Sequence, residues 1–138
     1  MEIKIQIRNM KSIFYLLIAT LLVSCYQQER NCTDFKTGKF ILTDQVEGDL
    51  QIERDNKFQY EMHETLKKPI RFYINWIDEC TYTLIPEKPK QAGTPKGVKN
   101  PVMTFRITET RANSYTVSVS SNFHSAIYEF NIKRAKTN

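Results

Sequence analysis

The sequence predicts an all-β fold, an antiparallel meander of about eight strands that closes or half closes into a lipocalin-like barrel, and three observations predict it. Apolar and polar residues alternate in eight short runs, the pattern of a strand with one buried face. The connections RDNK (54–57), IDE (77–79) and TRAN (110–113) are short and polar, so the strands they join must be antiparallel neighbours. No segment carries a convincing 3.6-residue period, so no helix is available to cover the sheet and it must bury its own apolar face by curling.

In chain order, the inward-facing candidates of the first four strands are Phe40 and Leu42; Leu50 and Ile52; Phe58, Tyr60 and Met62; and Ile70, Phe72, Ile74 and Trp76. Cys80, Tyr82 and Leu84 mark the fifth; Met103, Phe105 and Ile107 the sixth; Tyr115, Val117 and Val119 the seventh; Tyr128, Phe130 and Ile132 the eighth. Between the fifth and sixth, PEKPKQAGTPKGVKNP (86–101) holds four of the five prolines and cannot be a central strand, because proline lacks the N–H a ladder needs. It reads as a solvated loop within a single domain spanning 36–138. A chain of 138 residues, 41% apolar and 25% charged, has the size and composition of one folded core.

The N-terminus reads differently. Lys4, Arg8 and Lys11 precede an uncharged apolar run of about 11 residues from Ile13 to Val23. That is too short for the ~20 residues a spanning helix needs, and its order, basic then apolar, is that of a secretory signal. It ends Leu22-Val23-Ser24-Cys25, which resembles the lipobox of bacterial lipoproteins, in which the cysteine thiol receives a diacylglycerol and the chain is cut just before it. The resemblance implies a signal over 1–24, with Met10 an alternative start, Cys25 as the lipidation site and membrane anchor, and a tether over 25–35. Tyr26 is not the aspartate that retains lipoproteins at the inner membrane, so the resemblance favours the outer membrane. Removing 1–24 leaves 17 basic and 14 acidic residues, so part of the net charge of +5 belongs to the targeting signal.

With Cys25 assigned to lipid, Cys32 and Cys80 form an even pair in an exported chain, and a disulfide between them is the simple inference. Two reduced thiols or a metal site are the alternatives. Against the metal stand the lack of any CxxC and of a histidine at ligand spacing.

Chemistry-bearing motifs are scarce. Ser118, Ser120 and Ser121 lack a G-x-S-x-G elbow, and His63 and His124 fall on the polar phase or at a loop edge. Asp78 and Glu79 are explained as turn residues. There is no P-loop, GxGxxG or HExxH, so the expectation is a non-enzymatic protein without cofactor or metal. Four lysines in the 86–101 loop, without interleaved aromatics, do not make a nucleic-acid surface. The informative set is inward: Phe58, Tyr60, Met62, Phe72, Trp76, Tyr82, Met103, Phe105, Tyr115, Tyr128 and Phe130 either fill the barrel or line a pocket for a small apolar ligand. A partner protein of the envelope is the alternative occupant, recognised through an apolar patch or sheet edge.

The stretches CYQQERNCTDFKTGKF (25–40), IERDNKFQYE (52–61) and INWIDECTYTL (74–84), and more loosely MTFRITETRANSYTVSVSS (103–121), resemble a group of small Bacteroidota lipoproteins often labelled DNA topoisomerase IV. The resemblance implies a lipid-anchored, exported protein that keeps the cysteine pair, and it implies no activity or site. Topoisomerase chemistry does not fit: that reaction needs several large domains with a catalytic tyrosine and metal-binding carboxylates or an ATP site, and 138 residues cannot hold them.

Overall fold

The computed structural model describes residues 29–44 and 48–136; the expected signal segment and Cys25 lie outside the described residues. After a 3-10 turn at Thr33–Phe35 come eight strands: β1 (Gly38–Asp44), β2 (Gly48–Arg54), β3 (Phe58–His63), β4 (Ile70–Trp76), β5 (Thr81–Pro86), β6 (Met103–Arg111), β7 (Ser114–Ser121) and β8 (Tyr128–Arg134). Each pairs antiparallel with the next, and β8 returns to β1 to close the barrel. The closing ladder is thin. It pairs Phe40 with Arg134 and Ile41 with Lys133, whereas β6 and β7 pair from Met103–Ser121 to Arg111–Ser114.

Short polar turns make the meander as expected. Asp55 Oδ1 accepts the N–H groups of Lys57 and Phe58 (2.7 and 2.8 Å), and Asp78 Oδ1 accepts that of Cys80 (2.8 Å). These bonds hold both carboxyls below the ordinary aspartate range.

The two ends of the barrel differ. At one end lie the β2–β3, β4–β5 and β6–β7 turns and the 3-10 turn, and this end is sealed. Cys32 is bonded to Cys80 and, like Phe35, is buried. The segment before it is tied across the opening. Arg30 Nη1 donates to the Ile107 carbonyl (2.9 Å), and the Asn31 N–H to Thr110 Oγ1 (2.9 Å). A β-bulge between Ile107 and Glu109 makes this possible, because the extra residue shifts the phase and turns Thr110 inward opposite Tyr115. Arg134 lays its guanidinium over Phe35 and Phe40 (5.3 and 5.5 Å) and donates to the Asp34 carbonyl. Gly38 lets it pass: φ there is 126°, and a Cβ would stand 3.3 Å from Arg134 Nη1. The end of the expected tether is therefore part of the domain.

At the other end, the mouth, lie the end of β1, the start of β2 and the longer β3–β4, β5–β6 and β7–β8 loops. The 86–101 segment forms successive turns, with Ala92 packed on the core and Pro101 buried. Asn122 ties it to β7, exchanging bonds with Val102 and donating Nδ2–H to the Asn100 carbonyl (3.0 Å).

Candidate ligand site

Cross-strand partners share a face, so the register decides which side chains point inward. Phe40 faces Ile52, Ile52 faces Glu61, and Glu61 faces Ile70; one level toward the sealed end, Arg54 faces Gln59 and Gln59 faces Phe72. The interior face of β3 is thus Gln59, Glu61 and His63. Phe58, Tyr60 and Met62, expected inside, lie on the outer wall. The cause is the β2–β3 turn: the Asp55 N–H donates to the Phe58 carbonyl (3.0 Å), leaving a two-residue loop that places Gln59, not Phe58, beside inward-facing Arg54.

The other expected lining residues point inward. Phe72, Tyr82 and Tyr115 are buried in the floor, and Trp76 and Phe105 pack against Tyr82 with ring centroids 4.6 and 4.9 Å away. These rings fill the sealed half. Met103 and Tyr128 stand at the mouth, and Phe130 is half-buried on β8.

Arg54 is the centre of the floor, although it is only 3% exposed. Its Nε donates to Gln59 Oε1 (2.8 Å), Nη1 to the Phe35 carbonyl (2.8 Å), and Nη2 to the Tyr82 and Tyr115 hydroxyl oxygens (3.0 and 3.1 Å). Its guanidinium lies 4.6 Å from the Tyr82 ring centre and 5.2 Å from that of Phe40. Gln59, oriented by Arg54, passes a hydrogen bond on from Nε2 to Glu61 Oε1 (2.7 Å). The result is a relay with a cation at one end and a carboxyl at the other. Burial pushes the Glu61 carboxyl up from its ordinary value, opposed by the Gln59 hydrogen bond and the charge of Arg54. Burial likewise pushes the Tyr82 phenol well above its usual value, so it stays a neutral hydroxyl.

Above this floor the inward-facing Leu42, Leu50, Ile70 and Met103 are each partly solvent-accessible. A pocket of about 280 Å³ opens on the β6–β8 side of the mouth, lined by Met103, Val119, Ser120 and Ser121, with Phe123 and Tyr128 beside them and Gly93 and Pro95 of the 86–101 segment. The segment thus forms part of the wall of that pocket. His124 Nδ1 accepts the Ala126 N–H (3.1 Å) at the rim, and His63 Nδ1 is 2.9 Å from Thr65 Oγ1.

The outer wall carries its own apolar face. Phe58 packs on Tyr73 (5.4 Å) beneath the Arg71 guanidinium (4.9 Å), and Tyr73 and Ile85 are 47% and 41% exposed. Beside them Ile41, Tyr60, Met62 and Pro69 line a groove of about 520 Å³, edged by Lys39 and Glu53.

Sequence reasoning missed Arg54, Gln59 and Glu61. One signal was available: Arg54 continues the inward phase of Leu50 and Ile52. The fold and the site define a cup, a barrel with a built floor and an accessible apolar mouth. Comparison of the chain with protein-family models, with curated proteins and with solved structures gives no match.

Proposed function

We propose that this chain is a lipid-anchored lipoprotein of a bacterial envelope whose barrel takes a small apolar ligand through its mouth. The observation that carries the ligand reading is the asymmetry of the interior. At the sealed end Phe35, Tyr82 and Tyr115 are fully buried around Arg54, with only Trp76 and Phe105 beside them partly accessible, while at the mouth Leu42, Leu50, Ile70 and Met103 all face inward yet reach solvent. Exposed apolar side chains inside a cup have little reason to stay uncovered, since each methylene removed from water stabilises a complex by ~0.8 kcal/mol.

A titration with a solvent-sensitive naphthylamine dye tests it. Saturable fluorescence enhancement is expected, lost in Leu50→Trp, which fills the mouth, and kept in Tyr60→Ala on the outer wall. Enhancement that survives Leu50→Trp and disappears in Tyr60→Ala contradicts the reading. That result is what the second reading expects: docking of an envelope protein on the outer face, favoured by the exposure of Tyr73 and Ile85 beside the groove.

The anchor rests on the lipobox resemblance at Cys25 and has its own test. Cys25→Ser should abolish incorporation of labelled palmitate and release the protein from membranes, because two or three acyl chains hold where one does not. Continued labelling refutes it.

A further inference from the structure

The buried arginine invites the idea of an anionic ligand, and the geometry points elsewhere. Resting on the ligand reading above, we infer that the barrel selects an uncharged amphiphile carrying a hydroxyl, which donates to Glu61 at the base of the mouth. Arg54 is committed to protein acceptors: Gln59, the Phe35 carbonyl, Tyr82 and Tyr115 use four of the five N–H bonds that a guanidinium offers. It also sits one register level deeper than Glu61, so a ligand entering from the mouth meets the carboxyl first.

Glu61 has capacity to spare. Oε1 accepts from Gln59, whereas Oε2 accepts no bond from the described residues. Every fully buried side-chain nitrogen or oxygen among the described residues has a partner, so Oε2 keeps some contact with solvent within the half-buried carboxyl. Its immediate neighbours across the strands are Ile52 and Ile70, so neither adjoining strand places a polar side chain directly opposite it. A ligand hydroxyl would complete its hydrogen bonding in place of water.

Charge decides against the ions. Arg54 and Glu61 balance each other through Gln59, and Arg134, the other cation on the inward phase, is turned to the sealed end over Phe35 and the Asp34 carbonyl, so the relay that a ligand meets carries no net charge. A carboxylate or an ammonium brought in from the mouth leaves a net charge inside, and an uncompensated charge in an apolar interior is strongly disfavoured. A neutral hydroxyl adds a hydrogen bond without adding charge. The upward push on Glu61 agrees: the carboxyl is poorly solvated and gains from another donor.

The test is displacement of the dye from the full chain by three molecules of equal tail, dodecan-1-ol, dodecanoate and dodecylammonium. The alcohol is expected to displace at about tenfold lower concentration than either ion, the scale on which a site rejects a ligand that leaves its polar groups unmatched. Glu61→Gln is expected to weaken the alcohol and strengthen dodecanoate by about tenfold, because Arg54 then lacks its counter-charge. Were Glu61 merely structural, all three would weaken together. Equal displacement by the three, or preference for an ion, overturns the inference and leaves the ligand reading standing. Failure of the dye itself to bind removes both. If Glu61→Gln does not fold, the order of the three molecules on the unaltered protein still decides.

Discussion

Arg54→Met is expected to destabilise the barrel by about 3–5 kcal/mol, the range for removing one partner of a buried charged network. Methionine keeps much of the side-chain length and deletes the guanidinium. Gln59 Oε1, the Phe35 carbonyl and the Tyr82 and Tyr115 hydroxyls then lose their donor in a place where water does not replace it. Glu61 also loses its balancing charge. Against a total of ~5–15 kcal/mol for an ordinary domain, such a loss leaves the variant near its unfolding threshold. Urea denaturation measures it, and a loss under about 1 kcal/mol would show that the network is not what holds the floor.

The penalty should depend on pH, with a definite sign. Glu61 already titrates above its ordinary value in the folded barrel, so the folded state binds its proton more tightly than the unfolded chain does. Its contribution to stability therefore falls as pH rises from the ordinary carboxyl range through the raised value. Removing Arg54 lifts the folded value further, so Arg54→Met should recover stability as pH falls through that window. The double variant Arg54→Met/Glu61→Gln should lose less than the two single losses added together, because it removes both charges of the relay.

The second large effect belongs to the disulfide. Cys32 is buried beneath the sealed end, and its bond to Cys80 closes a loop across a sequence separation of 48. In the chain-entropy account, releasing that loop costs on the order of 4 kcal/mol. Replacing both cysteines by alanine should lower stability by about that amount and loosen the 3-10 turn. Phe35 and the bonds from its neighbours to Thr110 and Ile107 would hold that turn less firmly. Hydrogen exchange at Phe35 and Lys36 should rise with the loss of stability. Unchanged exchange and a loss below about 1 kcal/mol would mean that the hydrogen bonds alone secure the floor.

Much of the fold was legible because strand patterning is local. The alternation that marks Phe72, Ile74 and Trp76, or Tyr115, Val117 and Val119, needs no knowledge of neighbours, and all eight strands lie where it places them, except that β5 begins at Thr81 and leaves Cys80 in the turn, where the disulfide holds it. The pairing of Cys32 with Cys80 followed from arithmetic and was equally accessible. β3 was misread for a physical reason. Its sequence FQYEMH offers an apolar phase and a polar phase, and hydrophobicity prefers Phe58, Tyr60 and Met62 inside. The interior needed Gln59 and Glu61 instead, because Arg54 had already placed a charge there that required partners. The choice is made across strands, by a two-residue turn and a buried cation, and a single strand's pattern does not contain it. The bulge that turns Thr110 inward is likewise visible only once β6 meets β7.

The central claim, that the ligand enters the upper half of the cup, is tested most directly by methyl-resolved NMR during titration with dodecan-1-ol. The methyl signals of Leu42, Leu50, Ile70 and Met103 should shift together and saturate, while Ile107 and Val117 beneath them move little and Ile41 and Met62 on the outer wall not at all. Shifts confined to Ile41 and Met62, or none at the mouth at saturating alcohol, would contradict it.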